Sequence, residues 1–543
     1  MVTPQDDSAT PHATPPAGTG LGPLNPAQVA AVQAGYRSEG VALELGALVN
    51  GEALPEVQIR IPISQLNRHG LIAGATGTGK TKSLQILLEQ LSANGVPVFA
   101  ADMKGDLSGV ASPGTASEKL LARTAGIGQN WQPAASPVEF YSLGGRGQGV
   151  PIRATVTSFG PLMFAKILGL NNTQESSLSL VFQYADANGL PLVDLKDLRA
   201  VLMHLTSPAG KEELASLGGV SKQTAGVILR ELSNFAASGA DVFFGEPEID
   251  ANDFLRLASD GRGIVSLLQL PGVANEPRLF STFLMWLLAD LFNSLPEVGD
   301  LEKPKLVFFF DEAHLLFNGA SKEFVNQVVQ TVRLIRSKGV GVFFITQSPK
   351  DIPNDVLAQL GSRIQHQLRA HTPDDAKALK AASATYPQSG YKLENVLTQL
   401  GTGEAIITVL SESGAPTPTA WTRMRAPQGS MDPTAPETIA AAVAASPLLA
   451  KYGTPVDPES AYEILANRMN QSANGTNSAE VPVEDQARSY GPPESLPRPS
   501  RTTTRTTARS QKSTLEQVLG SRTGQTVVRE VVRGVFNALL KRR

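Results

Sequence analysis

The sequence contains no cysteine among its 543 residues. This absence excludes disulfide bonds, thiolate metal sites and cysteine nucleophiles, and it fits a reducing cytosol. Aromatic residues make up only 6% of the chain and charged residues 18%, the latter below the usual quarter. Hydrophobic residues nevertheless account for 41%. The composition therefore favours a large globular protein that encloses a sizeable core.

Long hydrophobic runs are also missing. A membrane-spanning helix needs about 20 mostly apolar residues, and charged residues interrupt the two most apolar windows, Leu279–Phe292 and Leu306–Phe317. The first residues carry Asp6 and Asp7 and no apolar segment, so they do not form a secretory signal. We therefore expect a cytoplasmic protein with no integral membrane span.

The net charge is small but unevenly distributed. The formal charge is −3 at pH 7, which by itself argues against a nucleic-acid partner. Residues 501–543, however, hold ten Lys and Arg against two Asp and Glu, a net charge of +8, and leave −11 on the remainder. The average thus conceals an acidic body and a basic tail.

Composition and periodicity divide the chain into segments. Residues 1–23 and 472–512 are predicted to be a disordered N-terminus and a disordered linker, because they are rich in turn-forming and polar residues without an apolar period. Between them we expect a short helix and strands at 24–65, a core at 66–426 with an insertion at about 107–300, and a helical extension at 427–471. Residues 513–543 are predicted to form a basic amphipathic helix.

Short apolar runs predict an α/β core with a mostly parallel sheet. Runs of four to eight residues rich in β-branched and aromatic side chains are typical of strands buried on both faces. They occur at Gly70–Ala75, Val96–Ala101, Gly263–Leu270, Leu306–Phe310, Val340–Thr346, Ile364–Leu368 and Glu404–Val409. The insertion is predicted to be largely helical, at Leu178–Ala187, Leu195–Leu205, Lys222–Ala236 and Leu279–Ser294.

The segment Gly74–Thr81 (GATGTGKT) matches the Walker A pattern and lies between a predicted strand and a predicted helix. Glycines allow backbone N–H groups to turn towards phosphates, and the helix N-terminus favours negative charge. The expected nucleotide-binding residues are Gly74, Ala75, Thr76, Gly77, Thr78, Gly79, Lys80, Thr81 and Lys82. Lys80 would reach the β- and γ-phosphates of ATP and Thr81 would hold Mg²⁺. The alternative, a purely structural glycine-rich turn, does not explain the complete pattern.

The run Leu306–Phe310 followed by Asp311 and Glu312 resembles a Walker B strand. It delivers two carboxylates to the strand's carboxyl end, where α/β folds bind ligands. Asp311 would hold the magnesium shell and Glu312 would act as the base for water. The alternative is that the two carboxylates cap the following helix. His314 completes an Asp-Glu-Ala-His string, but the other motifs of that helicase superfamily do not appear, so we interpret it as a polar contact at a helix start.

Polar residues at other predicted strand ends are candidates for the same site. Gln347 follows a strand and is placed either to sense the γ-phosphate or to form a turn before Pro349. Asp102, Lys104 and Asp106 follow another strand. Their roles, in positioning water or magnesium or simply as loop charges, stay open.

Three arginines are candidates for an arginine finger, which completes a neighbouring subunit's site. Arg333 and Arg336 are three residues apart and share one helix face. A solvated helix face is the alternative for this pair. Arg363, just before a predicted strand, is a further candidate.

With these residues identified, the chain resembles the HerA/FtsK branch of P-loop ATPases and, within it, the bacterial YjgR-like family. The resemblance covers about residues 66–470. It depends on the segments Asn67–Thr81, Ala101–Gly109, Leu168–Gln174, Phe243–Pro247, Pro277–Phe280, Lys303–His314 and Val332–Gln347.

The resemblance implies a RecA-like fold, hydrolysis of ATP with Mg²⁺, a homo-oligomeric ring of six subunits and an arginine finger at Arg336. For HerA itself it implies DNA translocation with a nuclease partner. HerA carries a β-barrel ahead of its core that docks the nuclease, whereas here only residues 24–65 precede the core. We therefore do not expect a nuclease partner.

Two functions of different classes follow from these observations. The first is an ATP-driven motor acting on DNA. The second is a nucleotide-gated assembly or scaffold with slow, DNA-independent turnover. A kinase is disfavoured, because no kinase signature is present and Glu312 favours water as the acceptor.

The basic tail leaves three interpretations open: packing on the protein itself or on a sister subunit, a membrane-surface helix, and a nucleic-acid arm. Its apolar stripe consists of Val527, Val528, Val531, Val532, Val535, Phe536, Leu539 and Leu540. Such stripes most often pack against protein, so self-packing is the preferred interpretation.

Overall fold

A computed structural model of the chain describes residues 22–475, except 217, 219, 274–275 and 300. The predictions made for residues 1–21, for most of 472–512 and for the basic tail at 513–543 lie outside the described residues. Within the described residues, no helix is both long and apolar enough to cross a membrane.

One mixed sheet organises the described residues. Its strands are β1 (Ala42–Asn50), β2 (Glu52–Pro62), β3 (Gly70–Ala73), β4 (Val98–Asp102), β5 (Val138–Leu143), β6 (Val150–Ile152), β7 (Val265–Gln269), β8 (Leu306–Phe310), β9 (Val340–Thr346), β10 (Ser362–Gln365), β11 (Glu404–Thr408) and β12 (Ala420–Met424). Their spatial order is β2-β1-β12-β11-β10-β3-β9-β8-β4-β7-β5-β6. The strands from β10 to β6 in this order are parallel. The other four extend the sheet by antiparallel pairing.

Helices flank the sheet and connect its parallel strands. They are α1 (Pro26–Gly35), α2 (Lys80–Ala93), α3 (Glu118–Ala125), α4 (Val156–Leu168), α5 (Asn172–Ala187), α6 (Leu195–Thr206), α7 (Lys211–Ser216), α8 (Lys222–Ala237), α9 (Pro277–Ser294), α10 (His314–Phe317), α11 (Lys322–Ile335), α12 (Asn354–Leu357), α13 (Pro373–Ser383), α14 (Leu393–Gln399), α15 (Pro436–Ala444), α16 (Pro447–Tyr452) and α17 (Ala461–Gly475). Side-chain hydrogen bonds cap the N-termini of several helices. Asn25 and Asn171, for example, each form a capping box at the first turn of their helix.

The sheet is buried on both faces, which explains the unbroken apolar runs. In β8, Leu306, Phe308 and Phe310 pack into the hydrophobic cluster on one face. Val307 and Phe309 pack into the cluster on the other face. Successive side chains of a strand point to opposite faces, so each must be apolar when both faces are covered.

The predicted α/β core with its mostly parallel sheet, largely helical insertion and helical C-terminal extension is confirmed. The structure adds that the segment expected as the insertion at about 107–300 also supplies β5, β6 and β7 to the main sheet. The hairpin of β1 and β2 joins the same sheet through β12. Within the helical extension predicted at 427–471, α15 and α16 are separate helices, because Ser446 caps a new start at Pro447.

Candidate nucleotide site

The phosphate loop lies at the carboxyl end of β3 and leads directly into α2, which begins at Lys80. Strands β9 and β10 pair with β3 on either side. Gly74, Gly77 and Gly79 have φ angles of 154°, 80° and 113°, a region that other residues rarely adopt. At Gly74, a Cβ atom would also lie 2.5 Å from Cβ of His366. Backbone conformation and close packing therefore both require glycine there.

Lys80 folds back over the phosphate loop. Its ammonium donates hydrogen bonds to the carbonyl oxygens of Gly74 (2.7 Å) and Ala75 (3.1 Å). Burial lowers the pKa of Lys80, and the carboxylates of Glu312 and Asp311 act in the opposite direction. Lys80 is thus within electrostatic reach of both acidic residues that follow β8.

Asp311 and Glu312 follow β8 at the same edge of the sheet. Burial, together with the neighbouring Glu312 carboxylate, raises the pKa of Asp311 to about 7. Glu312 has a φ of 49°, an unfavourable conformation for a residue with a side chain, and such strain clusters at functional sites. Its N–H donates to Oδ1 of Asp311 at 2.9 Å. The turn therefore fixes the two acids relative to one another.

The side chain of Glu312 lies between two basic groups. Nζ of Lys104 is 3.8 Å from Oε1 of Glu312, and Nδ1 of His314 is 3.4 Å from Oε2. His314 is the first residue of α10, which agrees with a polar contact at a helix start. Lys104 comes from the loop after β4 and is brought to the site by the pairing of β4 with β8.

Asp102 shapes the loop that carries Lys104. It is buried at the end of β4, and its carboxylate accepts hydrogen bonds from the Gly105 N–H (2.7 Å) and from Nε2 of Gln269 (3.1 Å). Burial raises the pKa of Asp102 to about 6. Of the residues left open by the sequence, Lys104 lies at Glu312 and Asp102 supports the turn. Asp106 contributes negative charge near Lys82 and Asp311.

Gln347 and Arg336 lie in different places. Gln347 is exposed at the carboxyl end of β9, the strand between β3 and β8. Arg336 follows the last residue of α11 and comes just before β9. It therefore lies at the amino ends of the parallel strands, whereas the phosphate loop lies at their carboxyl ends. It is close to buried His69, the residue preceding β3. Burial lowers the pKa of His69 to about 4, and the charge of Arg336 makes a smaller contribution in the same direction. The structure thus does not bring Arg336 to the phosphate loop of its own subunit.

The other candidate arginines also lie away from the loop. Arg333 is exposed on α11. Arg363, on β10, donates a hydrogen bond to the carbonyl oxygen of Thr385 at 3.3 Å.

His366 packs against the phosphate loop, and the sequence analysis did not identify it as a residue of the site. It is fully buried after β10, and its backbone N–H donates to the Ala73 carbonyl at 2.7 Å. Nδ1 lies 2.9 Å from the Glu404 carbonyl and Nε2 lies 2.9 Å from Oγ of Ser83. A carbonyl only accepts, so Nδ1 carries the proton and Nε2 accepts from Ser83. Burial lowers the pKa of His366 to about 4, which keeps the ring neutral.

The oxygen donors at the carboxyl ends of these strands suit magnesium. The described residues contain no group of three or more His, Cys, Asp or Glu that could form a protein-only metal site. They do place Thr81, on the first turn of α2, and the half-buried carboxyl of Asp311 at one sheet edge. Mg²⁺ is usually bound by one or two carboxylates together with phosphate oxygens and water. This donor set therefore fits a magnesium–nucleotide complex.

Comparison with known proteins identifies the family. The model of the family described as "Helicase HerA-like C-terminal" matches residues 48–543. The chain belongs to the HerA-like helicase family. It is 23% identical over 377 residues to the "DNA double-strand break repair helicase HerA" of Sulfurisphaera tokodaii, covering 68% of this chain and 67% of the relative. The protein of the same name from Saccharolobus solfataricus is 23% identical over 406 residues, with coverages of 73% and 71%.

Solved structures of similar architecture include "Plasmid coupling protein TrwB in complex with the non-hydrolisable ATP-analogue ADPNP". It is 14% identical, has a TM-score of 0.49 and covers 74% of this chain and 92% of its own. "Structure of VirB4 of Thermoanaerobacter pseudethanolicus" has 14% identity, a TM-score of 0.47 and coverages of 72% and 98%. Family membership therefore depends on the family model. The protein is a P-loop ATPase of the HerA-like family.

Proposed function

We propose that this member of the HerA-like family hydrolyses ATP to drive movement along DNA as a homo-oligomeric ring. The observation that carries the proposal is the placement of Asp311 and Glu312 at the same sheet edge as Lys80, within electrostatic reach of its ammonium. A phosphate-binding loop, a metal-binding carboxyl and a second carboxyl for water together are the parts that ATP hydrolysis requires. The HerA relatives are named as DNA repair helicases, which supports DNA as the substrate polymer and the cytoplasm as the place of action.

Each residue has a distinct proposed role. The N–H groups of Gly74–Thr81 and the ammonium of Lys80 bind the phosphates, and Lys80 exchanges its loop carbonyls for phosphate oxygens. Thr81 and Asp311 would hold Mg²⁺, which would neutralise phosphate charge. Glu312 accepts the proton of the attacking water. Gln347, at the end of the strand between Walker A and Walker B, orients that water or senses the γ-phosphate.

The position of Arg336 supports a ring. Within one subunit it lies at the sheet edge opposite the phosphate loop, so it can reach a nucleotide only in a neighbouring subunit. Head-to-tail contacts that close a ring place different surfaces of successive subunits against each other, which would allow Arg336 of one subunit to meet the phosphate loop of the next. An arginine delivered in this way stabilises transition-state charge and typically accelerates hydrolysis by about 10³–10⁵.

Stimulation of ATP hydrolysis by DNA tests the proposal. We expect double-stranded DNA to raise the ATPase rate of the full chain at low salt, because phosphate contacts weaken steeply with salt. Lys80→Ala is the control and should hydrolyse at background rate with or without DNA. Basal turnover that no DNA stimulates, combined with a change of assembly size on adding ATP, would instead favour the nucleotide-gated scaffold.

A further inference from the structure

The two ends of strand β3 carry different groups. The phosphate loop follows its carboxyl end, and His69 precedes its amino end. His69 is only 2% exposed. Its φ of 60° is unfavourable for a residue with a side chain, and such strain clusters at functional sites. The roles proposed for the nucleotide-site residues leave this buried, strained imidazole without a function.

The imidazole of His69 extends the sheet beyond the start of β3. Gly70 pairs with Phe343 of β9 in parallel register, so Val342 lies beside His69. Nδ1 of His69 accepts a hydrogen bond from the Val342 N–H at 3.0 Å. The backbone is held on the other side, because the His69 carbonyl accepts from the Ser362 N–H at 3.1 Å. These contacts fix the ring in one orientation next to β9.

The orientation of the ring determines which nitrogen carries the proton. A backbone N–H only donates, so Nδ1 is the acceptor and Nε2 carries the proton of the neutral ring. Burial lowers the pKa of His69 to about 4, which keeps the ring neutral. Nε2 is buried and forms no hydrogen bond of regular geometry with a described residue. A buried donor of this kind is costly, so its position requires an explanation.

The imidazole of His69 lies against the last turn of α11. The Val332 carbonyl raises the pKa of His69 as a hydrogen-bond acceptor, and the charge of Arg336 lowers it, although both effects are smaller than that of burial. Val332 is among the last four residues of α11, whose carbonyls lack a partner within the helix. The Nε2–H of His69 is therefore a donor placed at the helix end that carries Arg336.

The turn from α11 into β9 is rigid as well. The Arg336 carbonyl accepts a hydrogen bond from the Gly339 N–H at 2.9 Å, and the Gly339 carbonyl accepts from the Lys305 N–H at 2.8 Å. Gly339 has a φ of 78°, and a Cβ there would lie 3.0 Å from Cδ1 of Leu301. The segment 336–342 thus has little freedom, and His69 lies beside its first residue and is bonded to its last.

We propose that His69 is a positioning residue for Arg336, holding the end of α11 against β3 and β9 so that the guanidinium is directed to the nucleotide of a neighbouring subunit. The proposal rests on the proposed function, because Arg336 reaches a nucleotide only across a subunit contact. His69 acts through Arg336 and does not touch the nucleotide. Strand β3 then binds one nucleotide through its carboxyl end and holds the arginine for another site at its amino end.

The ATPase activity of His69→Asn is the first measurement. Asparagine tolerates a positive φ and can accept the Val342 N–H, but its side chain is too short to reach α11. We expect kcat to fall about tenfold to hundredfold, because a misplacement of about 1 Å can cost about 10², and the affinity for ATP to stay unchanged. His69→Gln, whose amide N–H reaches further, should lose less. His371→Asn, at an exposed position, is the matched control and should keep the unmodified rate.

Rings that contain two kinds of subunit separate positioning of Arg336 from support of the phosphate loop. Co-expression of His69→Asn with Glu312→Gln should restore activity, since the Glu312→Gln subunits supply a well-placed Arg336 to intact sites. Co-expression with Arg336→Ala should not, because neither subunit then supplies a well-placed arginine. A His69 that only supported the phosphate loop of its own subunit would give the opposite pattern.

Rescue of His69→Asn by Arg336→Ala, rescue by neither partner, or an unchanged kcat in His69→Asn would each overturn the proposal. Thermal unfolding shows which of the two His69 variants is folded, and the same mixtures are made with His69→Gln, for which the same pattern is expected. Failure of Arg336→Ala and Glu312→Gln to restore one another would instead overturn the shared site of the proposed function. Rescue between those two without rescue of either His69 variant by Glu312→Gln would overturn only the role of His69.

Discussion

The ammonium of Lys104 lies 3.8 Å from the carboxylate of Glu312 and so links the loop after β4 to the acid after β8. Strand β4 pairs directly with β8, and this pairing brings the two loops together. The Lys104 side chain is 63% exposed, whereas that of Glu312 is 19% exposed. Solvent screens such a contact, so we expect it to orient Glu312 and to contribute little to stability.

Lys104→Ala should therefore lower kcat by about threefold to tenfold with little change in KM, an effect of about 1 kcal/mol, typical of an exposed ion pair. Glu312→Gln should lower kcat by at least about 10², the usual contribution of a positioned base, and should still bind ATP. Steady-state ATPase measurements and nucleotide titrations check both. Lys377→Ala, on exposed α13, is the matched control. A Lys104→Ala enzyme as inactive as Glu312→Gln would contradict a merely orienting role.

Arg336 tests the sharing of sites between subunits. Arg336→Ala should lose about 10³ in kcat and keep its affinity for ATP, because the side chain lies far from the loop of its own subunit. Mixing Arg336→Ala with Glu312→Gln should restore part of the activity, since mixed rings contain some sites with both groups intact. Arg333→Ala, exposed on the same helix, should remain active. Normal hydrolysis by Arg336→Ala would exclude the shared site.

The phosphate loop and the Walker B strand could be predicted because each is a contiguous piece of sequence. The contacts that support them are not contiguous. Ser83 forms a hydrogen bond with His366, which is 283 positions away along the chain. Arg123 donates a hydrogen bond to the carbonyl of Gly403, which is 280 positions away. A single sequence contains no pattern that links such pairs. The phosphate-binding residues of the candidate site were therefore predictable, whereas the long-range contacts that support the loop were not.

The sequence analysis did not predict strands β5, β6 and β12, for a related reason. Strand β5 contains Glu139, a charge inside a buried strand, and only the structure shows that Arg256 neutralises it at 2.6 Å. Strand β6 has three residues, too few for a periodic signal. In β12, buried residues alternate with half-buried ones such as Arg423, which pairs with Glu404 of the neighbouring strand. Tertiary partners thus override the local preference at these positions.

The neutral ring of His366 makes the fold sensitive to acid. The unfolded chain binds a proton at His366 near pH 6.5, whereas in the folded protein burial lowers the pKa to about 4. The stability contributed by His366 is therefore complete above pH 6.5 and is lost as the pH falls towards 4. The loss is at most about 1.4 kcal/mol per pH unit. Between pH 6.5 and 5 it amounts to about 2 kcal/mol.

His366→Asn should remove this dependence and keep a donor for the Glu404 carbonyl. Measured by thermal unfolding, its Tm should fall less between pH 6.5 and 5 than that of the unmodified chain, although it starts lower. Buried carboxyls with raised pKa values, such as Asp102 and Asp290, favour the folded state as the pH falls. They are present in both proteins and therefore do not affect the comparison. His371→Asn, at an exposed position, is the control. Parallel pH profiles for His366→Asn and the unmodified chain would contradict a neutral buried ring.

Glu89 on α2 attaches the segment that follows β12 to the helix after the phosphate loop. Its side chain is buried with 8% exposure and accepts hydrogen bonds from the Gln428 and Gly429 N–H groups and from Gln85. Glu89→Ala leaves the buried Gly429 N–H without a partner, at a cost of about 1–3 kcal/mol, and also removes the partner of the half-buried Gln428 N–H. We expect a Tm lower by several degrees, because the segment after β12 loses its attachment to α2.

The matched control is Glu118→Ala, an exposed glutamate on α3, which should leave the Tm unchanged. Thermal unfolding of both variants checks the prediction. A Glu89→Ala protein with the Tm of the unmodified chain would contradict it, because the loss of hydrogen bonds to two backbone N–H groups must lower stability if those bonds form in solution.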